Sequence, residues 1–106
     1  MVAPTLLGMA MVTFVDETTS GARTEAGGLS VAEERLALRE LIRRRVEQET
    51  APEAAEREFA RAVEAFGRNG FLVLVGDRQV EELDDEVELG PGVEVTFLKL
   101  VPLVGG

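Results

Sequence analysis

Two stretches of this chain combine residue types that could do chemistry. One is the end, Val101-Pro102-Leu103-Val104-Gly105-Gly106. Glycine has no Cβ and reaches dihedrals that other residues avoid, so a carboxylate behind two glycines can thread a narrow channel. Val101, Leu103 and Val104 could dock in a partner's groove as an extended strand. The other stretch is acidic: Glu81, Glu82, Asp84, Asp85 and Glu86. Such carboxylates could hold a cation, but calcium loops alternate oxygen ligands around a glycine turn and D-x-[DN]-x-[DN]-G is absent, so no metal site is expected. A block of like charge in water is the plainer reading, and a docking face for a basic partner is the alternative. Arg43-Arg44-Arg45 is basic in print, yet on a helix successive residues point about 100° apart and make no single patch. Arg44 and Arg45 are spaced to pair with Gln48 and Glu49, which implies a solvated face. Glycines 67, 70, 76, 90 and 92 precede no G-K-[ST] and read as turn residues.

Missing residue types narrow the chemistry further. The 106 residues include no Cys, His, Trp or Tyr. That removes the disulfide, the thiolate nucleophile, the thiolate metal site and the usual general base near neutral pH. Asp, Glu, Arg, Ser, Thr and the lone Lys99 remain, which argues against an intrinsic enzyme and assigns no catalytic residue. Twenty acidic side chains against eleven basic ones give a net charge of −9, which phosphate backbones repel. Nucleic acid is therefore not expected as a partner. No apolar stretch approaches the roughly 20 residues of a membrane span. Residues 1–11 lack a basic n-region, so a cytoplasmic protein with no membrane partner is expected.

The elements that must position these residues follow from periodicity. Val12 and Phe14 alternate in a first strand over residues 10–15, and Asp16-Glu17-Thr18-Thr19-Ser20-Gly21-Ala22 has turn composition. Residues 23–31 form a return strand that Gly27 and Gly28 weaken. Leu38, Leu41, Ile42 and Val46 make one helical stripe, in a helix that starts near Val31 or near Ala37. Thr50 and Glu53 have capping-box spacing, with Pro52 in the first turn of a second helix. Its stripe is Ala55, Phe59, Ala62, Val63 and Phe66, and residues 67–70 stop it. The period then shifts to strands: Phe71–Val75 as a buried run, residues 78–80 pairing back, and residues 93–100 as the last strand. Leu83, Val87 and Leu89 are core contacts within the acidic region. One α+β domain over residues 1–100 is expected, with residues 1–8 a loose end and residues 101–106 an extended tail.

This order resembles the ubiquitin-like β-grasp family. Leu38-Arg39-Glu40-Leu41-Ile42 is similar to the helix start V-R-E-L-L of the molybdopterin-synthase small subunit, and Val75-Gly76-Asp77-Arg78-Gln79-Val80 to its hairpin V-N-G-x-x-V. Leu89-Gly90-Pro91-Gly92-Val93-Glu94-Val95 resembles its L-x-x-G-D-E-V turn, and Val104-Gly105-Gly106 resembles the end shared with the thiamine-pathway sulfur carrier and ubiquitin. The second helix is longer than in those carriers, and Val93 stands where the subunit often has Asp. The resemblance implies a mixed sheet of four to five strands, the last placed centrally, packed by one long helix plus an additional helix. It also implies that the chemistry belongs to Gly105 and Gly106: an E1-like adenylyltransferase, with its own ATP, would activate the Gly106 carboxylate, and the chain itself would hold no cofactor. As a protein modifier the chain would then pass to an amine, with an E2-like enzyme and a deconjugating protease as further partners. As a sulfur carrier it would become a thiocarboxylate and deliver sulfide to an acceptor enzyme. A third reading is a β-grasp interaction module with an inert end.

Overall fold

A computed structural model describes residues 10–100; the loose end expected at residues 1–8 and the extended tail expected at residues 101–106 lie outside that span. Nine elements follow one another: β1 (Ala10–Thr18), β2 (Arg23–Val31), β3 (Arg35–Ala37), α1 (Leu38–Glu49), α2 (Pro52–Gly67), β4 (Phe71–Val75), β5 (Arg78–Val80), β6 (Glu86–Glu88) and β7 (Glu94–Lys99). The fold is α+β, with a five-stranded mixed sheet in the order β2-β1-β7-β4-β5. β7 is the middle strand, parallel to β1 and antiparallel to β4. β3 and β6 make a separate two-stranded ladder in which Leu36 faces Val87.

The first hairpin is longer than its composition suggests. β1 runs through Asp16, Glu17 and Thr18, so only residues 19–22 turn. Two features carry the strand that far: its parallel register with β7, which reaches Thr18↔Lys99, and arginine partners for both acidic side chains. β2 tolerates its glycines because it bulges. The register shifts between Phe14 and Val15, and Gly27 sits at φ +108°, where a Cβ would be strained. At Gly28 a Cβ would come within 3.1 Å of the Met11 sulfur, so that glycine permits a close strand approach.

The helices lie over one face of the sheet. Val12 and Phe14 of β1, Val73 of β4 and Val95 of β7 meet Leu38, Leu41 and Ile42 of α1 in one buried cluster that also includes Phe59 of α2. Phe66, Phe71 and Phe97 pack against that cluster half-buried. Rings link them in a row: Phe66 to Phe71 at 5.7 Å, Phe71 to Phe97 at 5.8 Å, and Phe97 edge-on to Phe14 at 5.8 Å. On the opposite face Val15 and its partner Thr96 are also buried. Arg23 bridges Glu17 and Glu94, which flank that pair diagonally, so its side chain lies across it.

Of the two starts open to α1, the structure takes the one near Ala37: Ala37 is the N-cap and the helix runs from Leu38, because residues 35–37 are taken by the ladder with β6. One expectation about the helix ends is corrected. The Thr50–Glu53 capping box does not form: Ala51 is the N-cap residue, without a side-chain cap bond, and Thr50 is the extended C-cap of α1. Pro52 stands at the first helical position, where its missing N–H leaves one fewer donor to satisfy.

Candidate functional site

The tail residues Val101, Leu103, Val104, Gly105 and Gly106 lie outside the described residues. What is described is the place from which that segment continues. β7 ends at Lys99 in the middle of the sheet. The Thr19 N–H donates to the Lys99 carbonyl at 3.2 Å, and the Leu100 N–H reaches the Gly70 carbonyl at 3.5 Å. Both neighbouring connections thus hold the backbone up to Leu100.

Beside this point a cleft of about 370 Å³ opens between the ends of β1 and β7, the start of β4, and the two helices. Its floor is apolar, from Ile42, Val46, Ala62, Phe71 and Phe97, and its lip is charged. The lip is organised by Arg45, whose side chain is only 14% exposed. Its two terminal nitrogens donate to the two Asp16 carboxylate oxygens at 2.7 Å each, and its Nε donates to Glu49 at 2.9 Å. The guanidinium lies 4.6 Å from the centroid of Phe97 and 5.6 Å from that of Phe14. Burial alone would lower its pKa, but the hydrogen bonds and charges of Asp16 and Glu49 outweigh that, so the pKa is raised and the cation is held. The lone lysine, Lys99, also lines the cleft and has no ionic partner among the described residues.

The expected solvated arginine face is therefore corrected. Arg45 pairs with Glu49 as its spacing suggested, but Arg44 does not pair with Gln48. Arg44 bonds Glu33 through two nitrogens at 2.9 and 2.7 Å and Glu40 at 3.0 Å, while the Gln48 amide donates to the Gly28 carbonyl at 2.6 Å. The Arg44 hydrogen bonds, chiefly, hold the Glu33 carboxyl down to about 2. Arg43 pairs with Glu56 and stacks 4.0 Å over the Phe59 ring. Three consecutive arginines thus clamp three different parts of the fold. One signal in the sequence anticipated this for Arg45: it stands at i+7 from Leu38, inside the apolar stripe of α1.

The acidic stretch is partly structural. Residues 81–85 connect β5 to β6, and Glu86 opens β6. The Leu38 N–H donates to the Asp85 carbonyl and the Arg39 N–H to the Leu83 carbonyl, both at 2.9 Å. This loop's backbone therefore satisfies the first donors of α1, which lacks a side-chain cap. Asp85 also accepts from the Glu82 N–H, and Asp84 pairs with Arg39 at 2.8 Å. Glu81, Glu82 and Glu86 are exposed and have no ionic partner among the described residues. No group of three or more His, Cys, Asp or Glu able to hold a metal ion occurs among the described residues. No helix among them is long and apolar enough to cross a membrane.

No family model matches the chain, and no curated protein matches it. Among solved structures, the crystal structure of Staphylococcal Superantigen-Like protein 3 is similar with a TM-score of 0.32 and 8% sequence identity, over 84% of this chain and 50% of that one. The chain thus spans half the length of that structure's chain, and a likeness this weak carries no argument about fold or function.

Proposed function

We propose that this chain is a ubiquitin-like protein modifier of the β-grasp type, activated at the Gly106 carboxylate by an E1-like enzyme. The observation that carries the reading is the position of β7. A sheet ordered β2-β1-β7-β4-β5, with the last strand inserted in the middle and parallel to the first, is the arrangement that the β-grasp resemblance implies. In that arrangement the residues following Lys99 leave from the best-supported strand of the sheet, so a reactive end is carried on a firm base.

The chemistry needs little from the chain itself. A Gly106 carboxylate oxygen attacks the α-phosphorus of ATP bound to the activating enzyme, and pyrophosphate leaves. A thiolate of that enzyme then displaces AMP to form a thioester, and a target amine displaces the thiolate to form an amide. The chain supplies the carboxylate, two residues without side chains beside it, and an apolar run, Val101, Leu103 and Val104, for docking.

ATP–pyrophosphate exchange with the cognate activating enzyme tests this, comparing the full chain with a form lacking Gly105 and Gly106. Exchange is expected with the first and lost with the second; equal exchange removes the basis for assigning function to Gly106. The intact mass of protein from its native host separates modifier from sulfur carrier. Adducts on other proteins mark the modifier, whereas one oxygen replaced by sulfur marks the carrier.

A further inference from the structure

A second groove lies away from the root of the tail. It occupies about 540 Å³ between the C-terminal turn of α2, strands β4 and β5, and the loop after β5. Phe66, Val80 and Leu83, which pack on the core, give it a partly apolar floor, and the exposed Glu81 and Glu82 stand on its lip. We propose that this groove docks a basic segment of a protein partner by taking up an arginine side chain, with its methylene stem on the apolar floor and its guanidinium against Glu81 and Glu82.

Charge decides the occupant. Of the ionic groups lining the groove, Arg39 and Asp84 neutralise each other through bonds at 3.2 and 2.8 Å. Glu81 and Glu82 have no cationic partner among the described residues, so the groove keeps two uncompensated negative charges. An anionic or neutral ligand would leave those carboxylates unanswered. A bare metal ion would find two carboxylates but no cluster of three ligands among the described residues, and would gain nothing from the floor. Arginine suits both parts: its planar guanidinium spans neighbouring carboxylates, and its stem covers apolar surface while the head stays wet.

The proposal uses nothing at Gly106 and is tested without any activating enzyme. The probe is the acetylated, amidated pentapeptide Leu-Arg-Leu-Arg-Leu, titrated into the full ¹⁵N-labelled chain at fixed ionic strength. A second peptide replaces each arginine by citrulline, which keeps the shape and removes the charge. Saturable amide shifts confined to Arg39 and to residues 66–72 and 79–84 are expected with the arginine peptide and not with the citrulline one. The double variant Glu81→Gln/Glu82→Gln keeps an acceptor oxygen at each position but removes both negative charges, so charge-assisted hydrogen bonds become ordinary ones and affinity should fall about tenfold or more. Glu47→Gln/Glu53→Gln removes the same charge from the helices, outside the groove, and should leave affinity within about twofold. Both variants retain the native amide pattern, because none of these four side chains has an ionic partner among the described residues. Shifts spread over the whole acidic surface, equal binding of the citrulline peptide, or equal losses in the two variants would overturn the proposal. So would calcium chloride alone producing the same saturable shifts, which would make the groove a cation site.

Discussion

Replacing Arg45 is the most informative perturbation of the described fold, because two opposed accounts of that residue differ in magnitude. On a solvated helix face its removal would change stability by less than about 0.5 kcal/mol. The structure adds three contributions. The carboxylate pairs involve Asp16 and Glu49, which are 49% and 45% exposed, so screening limits them to about 1 kcal/mol together despite the two-pronged contact with Asp16. Stacking on Phe97 at 4.6 Å adds about 0.5–1 kcal/mol. The buried methylene stem adds about 1 kcal/mol, as truncation uncovers Phe97 and the Phe14 edge. Arg45→Ala should therefore cost about 2–3 kcal/mol, a substantial part of the 5–15 kcal/mol typical of a domain. Arg45→Met keeps most of the stem and should cost about half as much. A double-mutant cycle with Asp16→Asn should return a coupling of about 0.5–1 kcal/mol that shrinks with added salt. Urea denaturation of the four proteins measures all of this. An Arg45→Ala midpoint indistinguishable from wild type would refute the buried clamp, and equal costs for Ala and Met would refute the contribution of the stem.

Glu33 should give a distinct signature in acid. Its folded pKa is depressed from 4.5 to about 2 by Arg44, so its contribution is complete above pH 4.5 and is lost as the pH falls toward 2. The Glu33→Gln variant should show a shallower loss of stability across that window, and a side-chain carboxyl titrating near 4.5 by NMR would contradict the Arg44 contact. Gly27→Ala should destabilise the chain by about 1 kcal/mol or more, because φ is +108° there. Gly67→Ala, at an ordinary φ with no atom within 4 Å of the added Cβ, should be neutral or slightly stabilising, and equal thermal shifts for the two would remove the bulge argument.

What was legible in the sequence was whatever a single segment could announce. The stripe Leu38-Leu41-Ile42-Val46 and the apolar run Phe71–Val75 carry their own periods, and α1 and β4 lie where those periods say. β3 and β6 carry no such signal. Each is three residues long, and each exists because the other is there to pair with it, 49 positions on in the case of Ala37 and Glu86. The same holds for the cap of α1, whose donors are met by carbonyls of a loop far along the chain rather than by a local Ser, Thr, Asp or Asn. The turn composition of residues 16–22 misled because Asp and Glu count against a strand until their cationic partners are known, and those partners come from α1 and β2. The two grooves were illegible for a related reason: each is walled by elements scattered across the chain, and no local pattern marks where such walls converge.

The proposed function would divide stability and chemistry between different parts of this chain, with Arg45 close to the boundary. It ties α1 to β1 through Asp16 and covers Phe97 of β7, two residues before the strand ends at Lys99. β7 is held on one side by its parallel register with β1 and on the other by β4, so its end moves only if one of those neighbours moves. Loss of Arg45 loosens that end by exposing Phe97 and releasing Asp16, and it leaves the sequence from Val101 onward untouched. Removing Gly105 and Gly106 does the opposite in sequence terms: it takes away the proposed reactive end and changes no residue of the buried cluster of the described fold. Comparing the two in one activation assay separates a requirement for the terminal carboxylate from a requirement for a fixed base beneath it. If activation needs only the carboxylate, Arg45→Ala should retain the exchange rate of the full chain at any temperature where it remains folded. If the base matters as well, exchange should fall while the fold persists, and Arg45→Met should restore part of it by covering Phe97 again.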